Sequence, residues 1–443
     1  MDKKLIQPKV LKGFRDYLPD LMLNRKKMIK KIENIFESHG FAPIDTPALE
    51  YTEILMGKGG EESDKQLFSF IDNGKRHVTL RFDLTVPLAR FVAQYYNELG
   101  MPFKAYHIAP VWRGENTHKG RYREFFQCDF DILGTTSNLS DIEIGTVIYS
   151  SLKSILGSED FTIRINNRKI LNGLMQKFNL EDKTTAILRV VDKLQKVSLD
   201  NIKHELNEKV GLDENQINEL LSFVQLKGSN QEIINELKKL FNNNDFALNG
   251  VKSLEEFTES FNALGIPEKC YQLDLSIARG LDYYTGPIFE TTLTNLPGIG
   301  SVCSGGRYDN LAELYTTNHI PGVGASIGLD RLIAAMEELK MLDNISTPAQ
   351  VLIVNMDNNY RNEYLKLASE LRVSGIKTEL YTDDKKLDKQ MKYANRKGFK
   401  LVITNGSNEF DANNVKIKNM ETGENQVITR TDMENKIHEI INL

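Results

Sequence analysis

The sequence has little cysteine: three residues in 443, at 128, 270 and 303, with no CxxC pair. That excludes a disulfide scaffold and a cysteine-built zinc site, and it fits a reducing compartment, the cytoplasm. There is no run of about 20 apolar residues, so no membrane span is expected. The N-terminal Met1–Pro8 has no apolar core of a secretory signal. No charge sign dominates: 56 Lys and Arg against 61 Asp and Glu leave a net −5. An overall basic coat for nucleic acid is excluded, while a local basic site stays open. No repeat of about 20–50 residues is visible, which excludes a solenoid or propeller. The GxxxxGK[ST], HExxH and GxSxG motifs are all missing. The seven histidines (39, 77, 107, 118, 204, 319 and 438) show no metal-ligand spacing.

What is present is 40% apolar residues, enough for more than one packed core. Residues 1–168 mix a helix, expected over Arg25–His39 from the spacing of Met28, Ile29, Ile32, Ile35 and Phe36, with short strands such as His77–Phe82 and Tyr106–Trp112. Residues 169–268 change texture to Asn, Glu, Lys and Leu. Helical spacing shows at Ile217, Leu220, Leu221 and Val224, and residues 170–268 carry 11 basic against 16 acidic residues. This reads as a helical module inserted into something else. Strand texture with dense glycine returns over 269–342. A polar linker, 343–349, then leads to a strand–helix alternation (Val351–Val354, Tyr360–Ser374, Ile376–Tyr381, Leu387–Lys397, Leu401–Thr404). Such alternation indicates a small α/β domain with a largely parallel sheet, placed at 347–443.

The most informative stretch is Lys104–Gly134, which reads as strand, loop, strand. If the second arm is extended, Arg121, Arg123, Phe125, Gln127, Asp129 and Asp131 share one face. Tyr122, Glu124, Phe126, Cys128 and Phe130 share the other, a candidate core face. The polar face is either a solvated sheet surface or a ligand platform. With Arg113 from the facing arm, three arginines fall within 11 residues of a chain that has 18 Arg and 38 Lys. Guanidinium forks suit phosphate and carboxylate, and Phe125 among them can stack a flat base. In Arg81–Pro87, extended backbone puts Arg81, Asp83 and Thr85 on one face. Asp83 and Thr85 suit an ammonium group, or equally a helix cap before Leu84–Tyr96. In Ala278–Gly286, glycines flank Arg279, Tyr283 and Tyr284, either a polar aromatic ligand site or an ordinary turn. Ser304–Asp309 and the glycine-rich Gly322–Leu332, which carries Arg331 at a helix start, are weaker signals.

These clusters occur together in an order that resembles the class II aminoacyl-tRNA synthetases, and within them the histidyl-tRNA synthetase family. Phe41–Pro47 resembles the first class II motif, Arg113–Gln127 the second and Gly324–Arg331 the third. Arg279–Tyr284 and Gly305–Asp309 resemble the two histidine-specific signatures. The resemblance implies an α+β fold: an antiparallel-sheet catalytic core from 1–168 and 269–342, a helical insertion at 169–268, and a C-terminal α/β anticodon-binding domain. It also implies a homodimer using ATP, Mg²⁺, L-histidine and tRNA(His).

For the site, the resemblance implies Arg113 and Arg279 on opposite sides of the α-phosphate, and these two with Gln127 as the catalytic residues. Phe125 would stack adenine against Arg331, Glu115 would read its amino group, and Arg121 would join the ATP site. Asp83, Thr85 and Gln127 would hold the α-ammonium, with Leu84 also in the histidine site, and Asp131 and Tyr284 would hold the imidazole edge, with Tyr283 nearby. Asp131 stands where many bacterial members carry Glu. Mg²⁺ would bridge phosphates with few protein ligands, none of them named. One alternative is a non-catalytic, histidine-sensing regulatory paralogue, which lacks the C-terminal domain and degrades the arginines. Here Arg113, Arg279 and Arg331 are all present. Another is a different class II specificity, against which the two signatures argue. In the C-terminal domain, residues 385–400 carry seven basic residues against Asp388, either a solvated helix face or a phosphate-tracking patch.

Overall fold

A computed structural model describes residues 5–57, 64–191, 193–194, 197–277 and 283–441. The chain divides into two compact units: Met1–Arg15 with Met28–Lys340, and Asp16–Lys27 with Met341–Leu443. The first long helix is Pro19–Ser38. It begins ahead of the apolar periodicity because Pro19 suits a first helical turn and Asp20 meets the positive end of the helix dipole.

The first unit is built on an eight-stranded sheet. Its strands are β1 (Ala42–Pro43), β5 (Phe103–Trp112), β6 (Glu124–Leu133), β7 (Phe161–Asn167), β8 (Tyr271–Leu273), β9 (Pro287–Leu293), β10 (Cys303–Tyr308) and β11 (Gly322–Gly328). The order is β1-β5-β6-β11-β10-β9-β7-β8. Every pairing from β5 to β7 is antiparallel, and only the edge strands β1 and β8 run parallel to their neighbours. The strands β2 (Leu49–Tyr51), β3 (Ser69–Ile71) and β4 (His77–Leu80) form a separate antiparallel sheet.

Alternation along β6 sends Cys128, Phe130 and Ile132 into the core, all buried. There the Phe130 ring lies 4.7 Å from Phe36, and the Phe36 ring lies 5.5 Å from Tyr106. The opposite face carries the polar residues.

Between β7 and β8 the chain forms the helices Arg168–Phe178, Thr184–Val191, Leu199–Glu208, Glu214–Val224, Asn230–Leu240 and Asp245–Ala263. Capping boxes at Asp213 with Gln216 and Ser229 with Glu232 start two of them. Ile217, Leu220, Leu221 and Val224 are buried, as their spacing implies. Because β7 and β8 are parallel neighbours, the whole excursion is one crossover at the sheet edge and leaves the central strands uninterrupted. No described helix is long and apolar enough to cross a membrane.

In the second unit β12 (Val351–Ile353), β13 (Thr378–Leu380) and β14 (Leu401–Ile403) pair in parallel. The expected helix Leu387–Lys397 is present with those bounds. An antiparallel hairpin, β15 (Asn414–Asn419) and β16 (Asn425–Thr429), extends the sheet to the order β13-β12-β14-β15-β16. Its strands are short and carry few apolar residues, which gave no sequence signal.

Candidate active site

The site rests on register. Across β5, β6, β11 and β10, Ala105, Asp131, Gly324 and Gly306 lie in one row. The next row is His107, Asp129, Ser326 and Ser304, continued by Glu290 on β9 and Arg164 on β7. A third begins Ala109, Gln127, Gly328. Directly opposed residues share a sheet face, so the small residues flanking Asp131 and Gln127 leave room above a polar floor. Asp131, Asp129 and Gln127 are only 4%, 3% and 9% exposed, which removes the solvated-surface reading of this strand.

Glycine is required at 324: a Cβ there would lie 1.8 Å from Asp131 Oδ1. At Gly306 a Cβ would lie 3.0 Å from the Tyr284 ring. The Tyr308 hydroxyl donates to Asp131 Oδ1 at 2.5 Å. Gln127 Nε2 donates to Ser326 Oγ at 2.9 Å, and Ser326 in turn bonds Asp129. Gln127 Oε1 and Asp129 Oδ1 are buried with no hydrogen-bond partner among the described residues. The Tyr283 hydroxyl is also buried and lies beside Thr85 without a well-formed hydrogen bond.

This crowding of carboxylates changes their acidity. Burial pushes Asp131 up to about 7, with Asp83 adding to the rise and the Tyr308 hydrogen bond opposing it. Asp129 is pushed well above the carboxylate range by burial and by the charge of Asp131. Burial also raises Asp83, against the Val86 hydrogen bond and the Arg113 charge. Asp83 Oδ1 accepts from the Val86 N–H at 3.0 Å, in the first turn of the helix Thr85–Gln94, whose N-cap position is Leu84. Asp83 thus serves the start of that helix from one residue further out, and the bond fixes the carboxylate at the edge of the floor. Leu84 is buried beneath it, packed with Ala109, Val111 and Phe125; Thr85 is half-buried.

The arginines gather at the other end of β6. The Arg113 guanidinium lies 4.2 Å over the Phe82 ring and 5.1 Å from the Phe125 ring, and Nε donates to the Phe82 carbonyl at 3.0 Å. Arg121 pairs with Glu115, and Arg123 Nε donates to the Glu115 carbonyl at 3.2 Å. Burial would raise the Glu115 carboxyl, yet the Arg121 hydrogen bond and the charges of Arg121, Arg113 and Arg331 hold it below its usual value. Arg331, in the first turn of Leu329–Glu338, donates to the Ser301 carbonyl at 2.6 Å. Electrostatically it neighbours Arg121, Glu115 and Arg113. Cations clustered this densely around one acid make a place for an anion.

The structure thus brings Asp83, Leu84, Thr85, Arg113, Glu115, Arg121, Phe125, Gln127, Asp131 and Arg331 to one sheet face and its rim, with Tyr283 and Tyr284 beside Asp83 and Asp131. Arg279, with the rest of 278–282, lies outside the described residues. Arg307, from the second tyrosine-bearing signature, faces away. It pairs with Asp141 at 2.8 Å and ties β10 to the helix Asn138–Leu156.

Sequence reading missed four contributors. Tyr308 and Ser326 were visible only as parts of motifs. His107 looked ordinary, yet it sits beside Asp129 with Nε2 3.0 Å from Asp45 Oδ1. Asp330 accepts from the Phe126 N–H at 2.7 Å and from Arg15 at 3.0 Å, locking the Arg331 helix to the start of β6. No local pattern announces such long-range pairs. Among the described residues no group of three or more His, Cys, Asp or Glu is arranged to hold a metal ion.

Comparison with known proteins gives a consistent picture. The family profile described as histidyl-tRNA synthetase matches residues 13–332, and that described as anticodon binding domain matches 350–440. A histidine–tRNA ligase of Rhodopirellula baltica is 52% identical over 422 residues, 95% of each chain. One from Clostridium tetani is 46% identical over 428 residues, 96% of each chain. The crystal structure of histidyl-tRNA synthetase from Nostoc sp. PCC 7120 matches with a TM-score of 0.89 at 34% identity, covering 98% of this chain and all of that one.

Proposed function

This chain belongs to the histidyl-tRNA synthetase family and is a histidine–tRNA ligase, and from that premise we propose which residues do the work. The reaction has two steps. A carboxylate oxygen of L-histidine attacks the α-phosphorus of ATP; the P–O bond to the β-phosphate breaks and pyrophosphate leaves. A hydroxyl of the terminal ribose of tRNA(His) then attacks the histidyl carbonyl, and AMP leaves.

The first step needs charge neutralised at phosphorus by groups already in place. Arg113 is held by two aromatic rings and the Phe82 carbonyl, so it is oriented before substrate arrives. It meets the α-phosphate, with Arg279 proposed as its counterpart. Phe125 takes the adenine ring, Glu115 its amino group, and Arg331 closes the stack. Arg121 shares Glu115 and is available to the phosphates.

Asp83, Leu84, Thr85 and Gln127 surround the α-ammonium and carboxylate. Asp131 and Tyr284 take the imidazole nitrogens, with Tyr283 alongside. A pocket that hydrogen-bonds both ring nitrogens rejects isosteres, because its own polar groups would be left unpaired. Magnesium is proposed to arrive with the triphosphate, where it supplies charge neutralisation; the described residues offer no cluster fit to hold it on their own. The observation that carries this reading is a floor of buried acceptors adjoining a cluster of arginines on one sheet face.

The domain reading follows: catalytic core in 1–168 and 269–342, helical insertion in 169–268, anticodon-binding domain in 347–443. In the last, Lys386, Lys389, Lys392 and Arg396 are exposed on and beside Leu387–Lys397 and form no ion pair among the described residues, which supports a phosphate-tracking patch. A cytoplasmic homodimer is proposed. The exposed Leu49, Tyr51, Phe70 and Ile71 beside the first motif support an interface between copies, and three free, buried cysteines suit a reducing cytoplasm. The regulatory alternative is disfavoured by the organised Arg113–Arg331 cluster and by the C-terminal unit.

The test is pyrophosphate exchange into ATP with each amino acid offered singly and no tRNA. Exchange with histidine alone supports the assignment. Exchange with another amino acid would overturn the pocket, and histidine binding without exchange would favour the regulatory paralogue.

A further inference from the structure

We propose that Asp129 is a further substrate-binding residue, an acceptor for the α-ammonium group of histidine beside Gln127. The inference rests on the histidine reading of the pocket and adds a contact that reading does not contain. Asp129 sits at the buried end of a polar row that opens to solvent at Ser304. A buried carboxylate needs a positive donor, yet among the described residues no cation lies within ion-pair distance of Asp129. The two nearby guanidiniums are held elsewhere: Arg113 by the Phe82 carbonyl, Arg81 by the Pro110 and Thr46 carbonyls at 2.9 and 2.6 Å.

On the polar face of β6 two acceptors are left without partners among the described residues, Asp129 Oδ1 and Gln127 Oε1. The two residues are neighbours on one strand face, with Cα atoms about 7 Å apart along the strand. An ammonium carries three N–H donors. It satisfies both acceptors and leaves one donor for Asp83 or Thr85. The order along β6 also suits a single amino acid: adenine at Phe125, carboxylate and ammonium at Gln127 and Asp129, imidazole at Asp131. His107 is no substitute donor in charge. Burial and the Arg81 charge pull it down to about 4, against its Asp45 hydrogen bond, so it is neutral.

A proton signature follows. The titratable and charged groups around Asp129 are His107 from β5, Asp131 on its own strand, and Asp83, Arg81 and Arg113 from the flanking segments, with Tyr284 and Tyr283 above and Cys303 of β10 on the opposite face of the sheet. Burial and Asp131 favour the protonated acid in the empty pocket. Arrival of an ammonium favours the carboxylate, so its proton is released to solvent.

The experiment is calorimetry on the full chain near pH 7 with two ligands, L-histidine and imidazole-4-propionate, which keeps the ring and carboxylate but lacks the ammonium. In Asp129→Asn the amide preserves shape and still accepts from Ser326. We expect histidine affinity to fall about tenfold to a hundredfold, with affinity for the propionate little changed. Equal losses for both ligands, or no loss for either, would overturn the proposal. In the unsubstituted chain and in Asp129→Asn, buffers of different ionisation heat read the proton release on histidine binding. Less release from Asp129→Asn is expected, because the ligand's own ring brings the same protons to both, and equal release would overturn it. Should the unsubstituted chain fail to bind histidine, the histidine reading itself falls, which sets that failure apart from failure of the Asp129 contact.

Discussion

Strands in both units are buried on both faces, and they bury opposite things. In β12 and β14, Val351, Leu352, Ile353, Leu401, Val402 and Ile403 are all 0% exposed, apolar on either side. In β6, one face buries Cys128, Phe130 and Ile132 while the other buries Gln127, Asp129 and Asp131 to nearly the same extent. The first arrangement gains free energy from every side chain it hides, about 25 cal/mol per Å² of apolar surface. The second hides carboxylates at a cost, and the described residues do not fully satisfy them. The C-terminal sheet is committed to its own stability, whereas the polar face of β6 is left incomplete, as the proposed ligand pocket requires.

The contrast breaks most sharply at the arginine cluster. Arg113→Ala is expected to slow histidine-dependent pyrophosphate exchange by about 10²–10³-fold while the melting temperature stays close to that of the parent chain. The mirror case is Leu352→Ala. A vacated, fully buried leucine site is expected to cost about 2–5 kcal/mol in denaturant titration of the C-terminal transition, with the Michaelis constants for exchange unchanged. If Arg113→Ala melted the protein or Leu352→Ala altered those constants, the division of labour would be wrong.

Gly324→Ala tests the join between backbone and site. Its methyl would collide with Asp131 Oδ1, so the carboxylate must move. A histidine KM raised about tenfold or more is expected, with a smaller change in the ATP KM.

Asp131 itself links the comparison to pH. Folded, it keeps its proton up to about 7; its ordinary value is 3.8. Between those values the native state binds more protons than the unfolded one, so this group makes stability fall as pH rises through that window. Asp131→Asn removes the effect. Its stability relative to the parent is expected to climb between pH 5 and pH 7, by at most about 1.4 kcal/mol per pH unit, then level off above. Urea titrations at several pH values check this, and a relative stability that stays flat or falls between pH 5 and pH 7 would contradict it.

The smallest effect concerns the exposed basic face. Lys389→Ala is expected to weaken tRNA binding a few-fold and to reduce the magnitude of the salt slope by about one, with exchange kinetics unaltered.

Legibility followed the same divide. The C-terminal alternation was readable because each strand is a short apolar run between helical periods, and Leu387–Lys397 was placed with its observed bounds. The two-faced pattern of β6 was readable from strict alternation, and the family signatures marked most of the rim. What sequence left open was whether the polar face met water, because a charge run looks alike on a surface and over a pocket. Only the neighbouring strands decide that, through Gly324, Ala105 and Ala109. Tyr308 and Asp131 are 177 positions apart, and nothing local at either residue implies the other. The hairpin β15–β16 escaped because its strands carry few apolar residues and hide one face at most.

The most direct test of the central claim, that the polar face of β6 is the histidine pocket, is the pair of Michaelis constants for histidine and ATP in pyrophosphate exchange by Asp131→Asn. A histidine KM raised about tenfold to a hundredfold with the ATP KM unchanged is the expected result. Parallel rises in both constants, or no change in either, would contradict the claim.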